Sequence, residues 1–335
     1  MCGAWLFLGK GLRSYLNTSR EAISSLPYLV NHPLPIIWLK PAQLATFTAA
    51  GTTAHRIATS PDGWIERLGD DALVCFKNDS IRDDITTTLT EWCKAAEWHP
   101  HRIFAKFLPR QNQDRISPTL LSGDATLPLT TTVTEAGACY ALDFAAGYSH
   151  GLFLDQRANR AFLRRMAPKR VLNTFAYTCA FSVAAALTGA ETVSVDLSKK
   201  SLDRGRENFA LNQLDTTTRH RFIADDVMDV LPRLSHRGEK FDAIILDPPT
   251  FSRGNKGRRW QVEQHLEDLL SAAMELATPK AHILLSTNCT SLTIRDLESM
   301  ARYCCKLHRR PVNFHRESQQ VDFPPGHGAT TLWLV

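Results

Sequence analysis

The stretch Phe241-Asp242-Ala243-Ile244-Ile245-Leu246-Asp247-Pro248-Pro249-Thr250-Phe251 constrains this chain more than any other. Residues 243–246 form an unbroken apolar run, the pattern of a strand buried on both faces of a parallel sheet. Two consecutive prolines stop that strand and give the chain a stiff course beyond it. Asp247 is therefore expected at the C-terminal lip of a sheet, where open α/β folds bind their ligands. A second apolar run, Ile283-Leu284-Leu285, ends the same way at Asn288-Cys289-Thr290. If the two strands are neighbours, Asp247 and Cys289 flank one pocket.

The surrounding pattern places that lip in a doubly wound sheet. From residue 154 onward, helices at 156–166, 181–187, 199–211, 227–234, 262–277 and 294–305 alternate with strands at 170–174, 192–195, 221–224, 243–246 and 282–286. Such alternation requires a mostly parallel sheet with helices on both faces. The C-terminal segments PVNFHRES and GATTLWLV add two strands across a Pro/Gly-rich loop, for seven in all. A hairpin is expected to lead this domain, 129–134 pairing with 138–144 across Glu135-Ala136-Gly137, so that the domain runs over 129–335. Residues 36–128 read as a small α+β module, with short strands near 64–67, 72–76 and 101–107. Its one helix, at 82–97, turns Trp92 and Ala95 to its apolar side. Residues 1–35 read as a poorly integrated extension.

Composition restricts partners only mildly. A formal charge of +5 is compatible with a nucleic-acid partner without requiring one. The eight cysteines show no pair-like spacing, which points to a reducing, cytoplasmic setting. No run is long enough to span a membrane, and the N-terminus lacks the charged leader of a secretory signal. Cys304, Cys305 and His308 offer at most two metal ligands on one helix, so no metal is expected.

Three successive strand ends carry chemistry suited to a nucleotide-type cofactor. After the first comes Asn173-Thr174-Phe175-Ala176-Tyr177-Thr178-Cys179-Ala180-Phe181, built of small residues but without the usual glycines. Asp196 ends the second strand, where a carboxylate can accept from both ribose hydroxyls. Asp225-Asp226 end the third, within reach of an adenine amino group. Aspartate is also favoured as a helix N-cap, and the two roles are compatible.

The ordered segments GLFLDQRANRAFL, VLNTFAYTCAFSVAAALTGAETVSVDLSKKSLDRGRENFALNQLD, FIADDV, FDAIILDPPTF and LLSTNCTS resemble a bacterial enzyme family. They are similar, over about residues 140–335, to the S-adenosylmethionine-dependent methyltransferases of cytosine C5 in large-subunit ribosomal RNA. That resemblance implies the class I methyltransferase fold, a Rossmann-like α/β sheet, and S-adenosylmethionine as cofactor. RNA, and large-subunit ribosomal RNA in particular, is the implied partner. The chain departs from the family at Cys179-Ala180, where YTGGF is usual, and its N-terminal module is unlike the PUA domain many members carry.

By resemblance, Asn173, Phe175 and Tyr177 shape the methionine end of the cofactor pocket, Asp196 holds the ribose, and Asp226 with Val227 holds the adenine. Gln156 and Arg157 face the same pocket, with Arg157 available to the methionine carboxylate. Cys289 matches the family's nucleophile. A thiolate adding to cytosine C6 makes C5 enamine-like and able to take a methyl group. Asp247 then holds the N3/N4 edge of the base. Pro248, Pro249 and Phe251 border the substrate. Arg253, Lys256, Arg258 and Arg259 supply phosphate contacts, with base stacking expected on Trp260.

Overall fold

The computed structural model describes residues 36–335 except 97, 110–113 and 254–258, so the extension expected over residues 1–35 lies outside it. The N-terminal module contains β1 (Ile37–Trp38), α1 (Pro41–Ala49), β2 (Ala54–Ser60), β3 (Gly63–Leu68), β4 (Asp71–Phe76), α2 (Asp79–Ala96), β5 (Arg102–Phe107) and β6 (Thr119–Gly123). The strands form one sheet in sequence order, antiparallel except where α2 crosses over and lays β5 parallel to β4. Helical spacing puts Ile85, Leu89 and Cys93 on one face of α2, packed against Ile57, Ile65 and Val74. Trp92 lies beside that spine, stacked on Trp38. Ala95 is exposed, contrary to the sequence reading, because the buried face of α2 is carried by Ile85, Leu89 and Cys93.

A hairpin follows, β7 (Thr130–Glu135) and β8 (Ala138–Asp143). Its two-residue turn needs positive φ at both positions, which Ala136 (48°) and Gly137 (80°) adopt. Then come a 3₁₀ turn (Leu154–Gln156), α3 (Arg157–Met166), β9 (Arg170–Thr174), α4 (Ala180–Ala186), β10 (Glu191–Asp196), α5 (Lys199–Leu211), β11 (His220–Ala224), α6 (Val227–His236) and β12 (Phe241–Leu246). A short ribbon of β13 (Phe251–Arg253) and β14 (Arg259–Gln261) precedes α7 (Val262–Met274), β15 (Ala277–Thr287), α8 (Ile294–Leu307), β16 (Phe314–His315) and β17 (Thr330–Leu334). Strand β15 starts five residues earlier than the strand expected at 282–286, because Ala277 pairs with Phe241.

The large sheet has seven strands in the order β11-β10-β9-β12-β15-β17-β16, with β17 the antiparallel member. This is the doubly wound, mostly parallel sheet expected from the sequence. Side-chain alternation along its central strands fills two layers. Leu172, Ile244, Leu246, Ile283 and Leu285 pack with α6, α7 and α8, while Val171, Ala243, Ile245 and Leu284 pack with α3, α4 and Trp333. Each large side chain so buried contributes about 1.5–3 kcal/mol. The order of strands reverses between β9 and β12, which opens a crevice at their C-terminal ends.

The module is welded to this sheet rather than tethered. One core cluster joins Leu68, Leu73 and Phe104 of the module to Tyr140 and Leu142 of the hairpin, Leu202 and Phe209 of α5, and Phe323. Phe104 stacks on Phe144 at 3.9 Å. At the seam, Arg157 donates to both oxygens of Asp322 (3.0 and 2.9 Å) and to the Ala54 carbonyl on β2 (3.0 Å). Asp322, whose side chain is fully buried, also accepts from the Arg56 backbone amide (3.1 Å). The Arg56 guanidinium is held between Trp64 and Phe323, 4.3 and 4.1 Å from the ring centres. Removing one partner of such a buried pair strands the other charge, at a cost of about 3–5 kcal/mol. Asp322→Ala is expected to lose about that much in denaturant unfolding, and Asp322→Ala/Arg157→Met appreciably less. A loss below about 1 kcal/mol in the single variant would show that the seam does not depend on this pair.

Candidate active site

A cleft of about 340 Å³ opens over the ends of β9, β10, β11 and β12. Asn173, Phe175, Tyr177, Asp196, Asp226, Val227, Gln156, Asp247, Pro248 and Pro249 all line it, so ten of the residues singled out from sequence converge there. Its floor is the turn from β9 into α4. Phe175, Tyr177 and Cys179 all adopt left-handed backbone, with φ of 50°, 48° and 60°. Such conformations cost non-glycine residues about 1–3 kcal/mol each and persist only where the surroundings fix them.

Here the surroundings do. Ala176 N donates to Val195 O (3.0 Å), Cys179 N to Ala176 O (2.7 Å) and Tyr177 N to Asp196 Oδ2 (2.8 Å). Asn208 of α5 donates to Thr178 O (2.8 Å), and the Tyr177 hydroxyl donates to Ser149 O (2.6 Å). Cys179 is fully buried, its thiol pushed up to about 12 by desolvation, so it is an inert packing group. Space for it comes from Gly205 of α5, where an added Cβ would lie 2.5 Å from Cys179 Sγ.

Asp196 sits at the end of β10, with Oδ1 accepting from Ser198 N (2.8 Å) in addition to the Tyr177 bond. Burial raises its carboxyl above the usual range, and these two amides pull it back. A carboxylate has capacity for further bonds beyond those two. The helix N-cap of α5 is Ser198, not Asp196, whereas Asp226 does cap α6 through Met228 N (2.9 Å).

Asp247 occupies the lip of β12, where desolvation raises its carboxyl to about 6 and a hydrogen bond from Ser286 opposes the rise. Gln156 Nε2 donates to Ser286 Oγ (2.7 Å) and reaches Asp247 Oδ2 (3.4 Å), and its own carbonyl accepts from Asn159 (2.9 Å). Gln156 therefore orients the lip as well as lining the cleft. Cys289 lies past the end of the neighbouring β15, 8% exposed. It lines a second cleft, of about 510 Å³, walled by the segment 316–331. Asp247 and Cys289 thus face adjoining clefts rather than one pocket, with Asp155 and Asn288 lining both.

Other expectations change. Arg157 does not line the first cleft, because Asp322 and Gln320 (3.0 Å) take its guanidinium. Trp260 is buried on Phe175 (5.4 Å between rings) and donates to Pro249 O (2.9 Å). It closes the first cleft and offers no free face for a base. Phe251 is half-exposed beside the cleft rather than within it. Arg253 and Arg259 are backbone register partners in the β13–β14 ribbon, and Lys256 and Arg258 lie outside the described residues. Cys304 and Cys305 are buried in the core, while His308 Nε2 pairs with Ser271 (2.8 Å). No group of three metal-ligating side chains occurs among the described residues. Gly151, Phe153 and Asn288 also line the first cleft, and carry no local sequence signal for it.

The profile of the S-adenosylmethionine-dependent methyltransferase family matches residues 77–332. The chain belongs to that family. Its cofactor is S-adenosylmethionine, and a cleft over strand ends with a carboxylate on β10 and apolar Phe175 and Val227 fits that molecule in chemistry. Ribosomal RNA large subunit methyltransferase I of Erwinia tasmaniensis is 41% identical over 177 residues, 52% of this chain and 44% of that protein. Ribosomal RNA large subunit methyltransferase K/L of Psychrobacter sp. is 42% identical over 175 residues, 51% of this chain and 21% of that protein. The chain thus spans less than half the length of these curated relatives. SMU.776, described as a methyltransferase and solved with SAH, superposes with a TM-score of 0.74 at 26% identity, covering 88% of this chain and 79% of its own.

The fit between Cys179 and Gly205 can be tested by exchange. Gly205→Ala is expected to destabilise the protein by about 1–3 kcal/mol, although alanine normally favours a helix. Cys179→Gly in that background should recover most of the loss, since glycine accepts φ of 60° and vacates the space. Thermal unfolding that ranks the double variant below Gly205→Ala would contradict this packing.

Proposed function

We propose that this protein transfers a methyl group from S-adenosylmethionine to C5 of a cytosine in large-subunit ribosomal RNA. The observation that carries this reading is a buried thiol past one strand end beside a partly buried carboxylate on the next. Leu246 of β12 pairs with Leu285 of β15, so Asp247 and the Cys289 loop leave the sheet side by side. Chemistry at a ring carbon needs such a thiol, and transfer to nitrogen does not. The printed names of the relatives supply the RNA class.

In this reading Asn173, Phe175 and Tyr177 surround the methionine end of the cofactor. Asp196 holds the ribose hydroxyls, and Asp226 with Val227 holds the adenine. The cofactor supplies an electrophilic methyl group at the mouth of the first cleft. The target cytosine lies between the clefts with its N3/N4 edge on Asp247. Because that carboxyl titrates near 6, it can give a proton to N3 as negative charge builds on the ring. Gln156 keeps the carboxyl aimed. Cys289 adds to C6, and Pro248 and Pro249 hold the rim. Phe251 offers an exposed aromatic face for a flanking base, and Arg253, Lys256, Arg258 and Arg259 take phosphates.

RNA carrying 5-fluorocytosine tests the covalent step, since fluorine cannot leave as a proton. The wild type with S-adenosylmethionine should form a complex that survives denaturing electrophoresis, and Cys289→Ala should form none and transfer no methyl. Methylation that persists in Cys289→Ala would move the target atom to nitrogen.

A further inference from the structure

Cys289 is not an isolated thiol. Its Sγ lies 3.0 Å from Ser291 Oγ, and the Ser291 hydroxyl donates to Oε1 of Glu263 in the first turn of α7. A hydroxyl has one proton and an ionised carboxylate has none. Ser291 spends its proton on Glu263, so toward Cys289 it can only accept, and the thiol proton points at Ser291. The chain of bonds thus runs in one direction, from a buried sulfur (8% exposed) to an exposed carboxylate.

We propose that Ser291 and Glu263 form the proton route of this site, serving both Cys289 and the C5 position of the base; this rests on the C5 reading above. On activation, the thiol proton passes to Ser291 Oγ as the Ser291 proton passes to Glu263. Glu263 then releases it to water. The thiolate adds to C6. A base held between the clefts turns one face to each, and Cys289 belongs to the second cleft alone. Once C5 has gained a new substituent from the first-cleft side, its original hydrogen points toward Cys289 and Ser291. That hydrogen leaves as a proton to Ser291 Oγ, with the Ser291 proton again moving to Glu263. The C–H electron pair restores the C5–C6 double bond and expels Cys289 as thiolate. Ser291 touches the reacting hydrogen, and Glu263 acts through it as a positioning and proton-accepting residue.

A purely structural role, the anchoring of the 287–292 turn to α7, would alter stability or affinity but would not separate proton loss from the rest of the cycle. The experiment uses large-subunit ribosomal RNA transcribed with [5-³H]cytidine and follows tritium release to water, with and without S-adenosylmethionine. Without cofactor, water on the first-cleft side supplies the incoming proton, so release reports the chain's own residues. Glu263→Gln and Ser291→Ala are expected to slow release at least about tenfold in both conditions. With cofactor and long incubation, the thiol proton then leaving slowly to water, they should still transfer up to one methyl per enzyme and accumulate a denaturation-stable complex with ordinary cytosine RNA. Glu263→Asp and Ser291→Thr should recover part of the rate. Wild-type release in both Glu263→Gln and Ser291→Ala would overturn the relay alone, as would methyl transfer and release falling together with no trapped complex even after long incubation. A wild-type enzyme that methylates RNA without releasing tritium would overturn the C5 reading, and the relay with it.

Discussion

The candidate site depends on a turn that should be expensive. Three residues between β9 and α4 hold left-handed backbone without a glycine among them. That conformation is kept because Asp196 accepts the Tyr177 amide, Asn208 caps the Thr178 carbonyl and Gly205 leaves room for Cys179. The same carboxylate that fixes the turn is the one facing the cleft. One side chain therefore both lines the cleft and supports the turn, and α5 supplies the missing glycine from the opposite wall.

A second constraint is the adjacency of β12 and β15. It brings a carboxylate raised by burial and a thiol tied to Ser291 to the seam of two clefts. Gln156 links that seam to α3, and Arg157, the next residue, links α3 to the N-terminal module through Asp322. Consecutive residues at the start of one helix thus face in two directions, one toward chemistry and one toward the joint that carries the module.

Much of this was legible in the sequence, for a physical reason. Buried parallel strands read as apolar runs, and their ends read as the polar residues there, so Asp196, Asp226 and Asp247 could be found without a structure. What was not legible depends on partners far along the chain. Arg157 is claimed by Asp322, 165 residues away. Trp260 is claimed by Phe175, and no spacing rule announces that. Ser291 and Glu263 lie 28 residues apart on a turn and a helix, and each alone reads as solvated polar surface. The Cys179 turn was read as a departure from a glycine pattern, while its compensation lies in Gly205 of a different helix. Local rules report periodicity, and they are silent on which distant group satisfies a charge or fills a space.

The central claim is that the cleft over β9–β12 holds S-adenosylmethionine through the carboxylate at the end of β10. Calorimetric titration of the cofactor into wild-type protein and into Asp196→Asn tests it most directly, with thermal unfolding as a check that the turn still forms. A charge-assisted hydrogen bond contributes about 1.5–3 kcal/mol, so affinity should fall by about tenfold or more in the variant. Equal affinity in the two proteins would contradict the assignment.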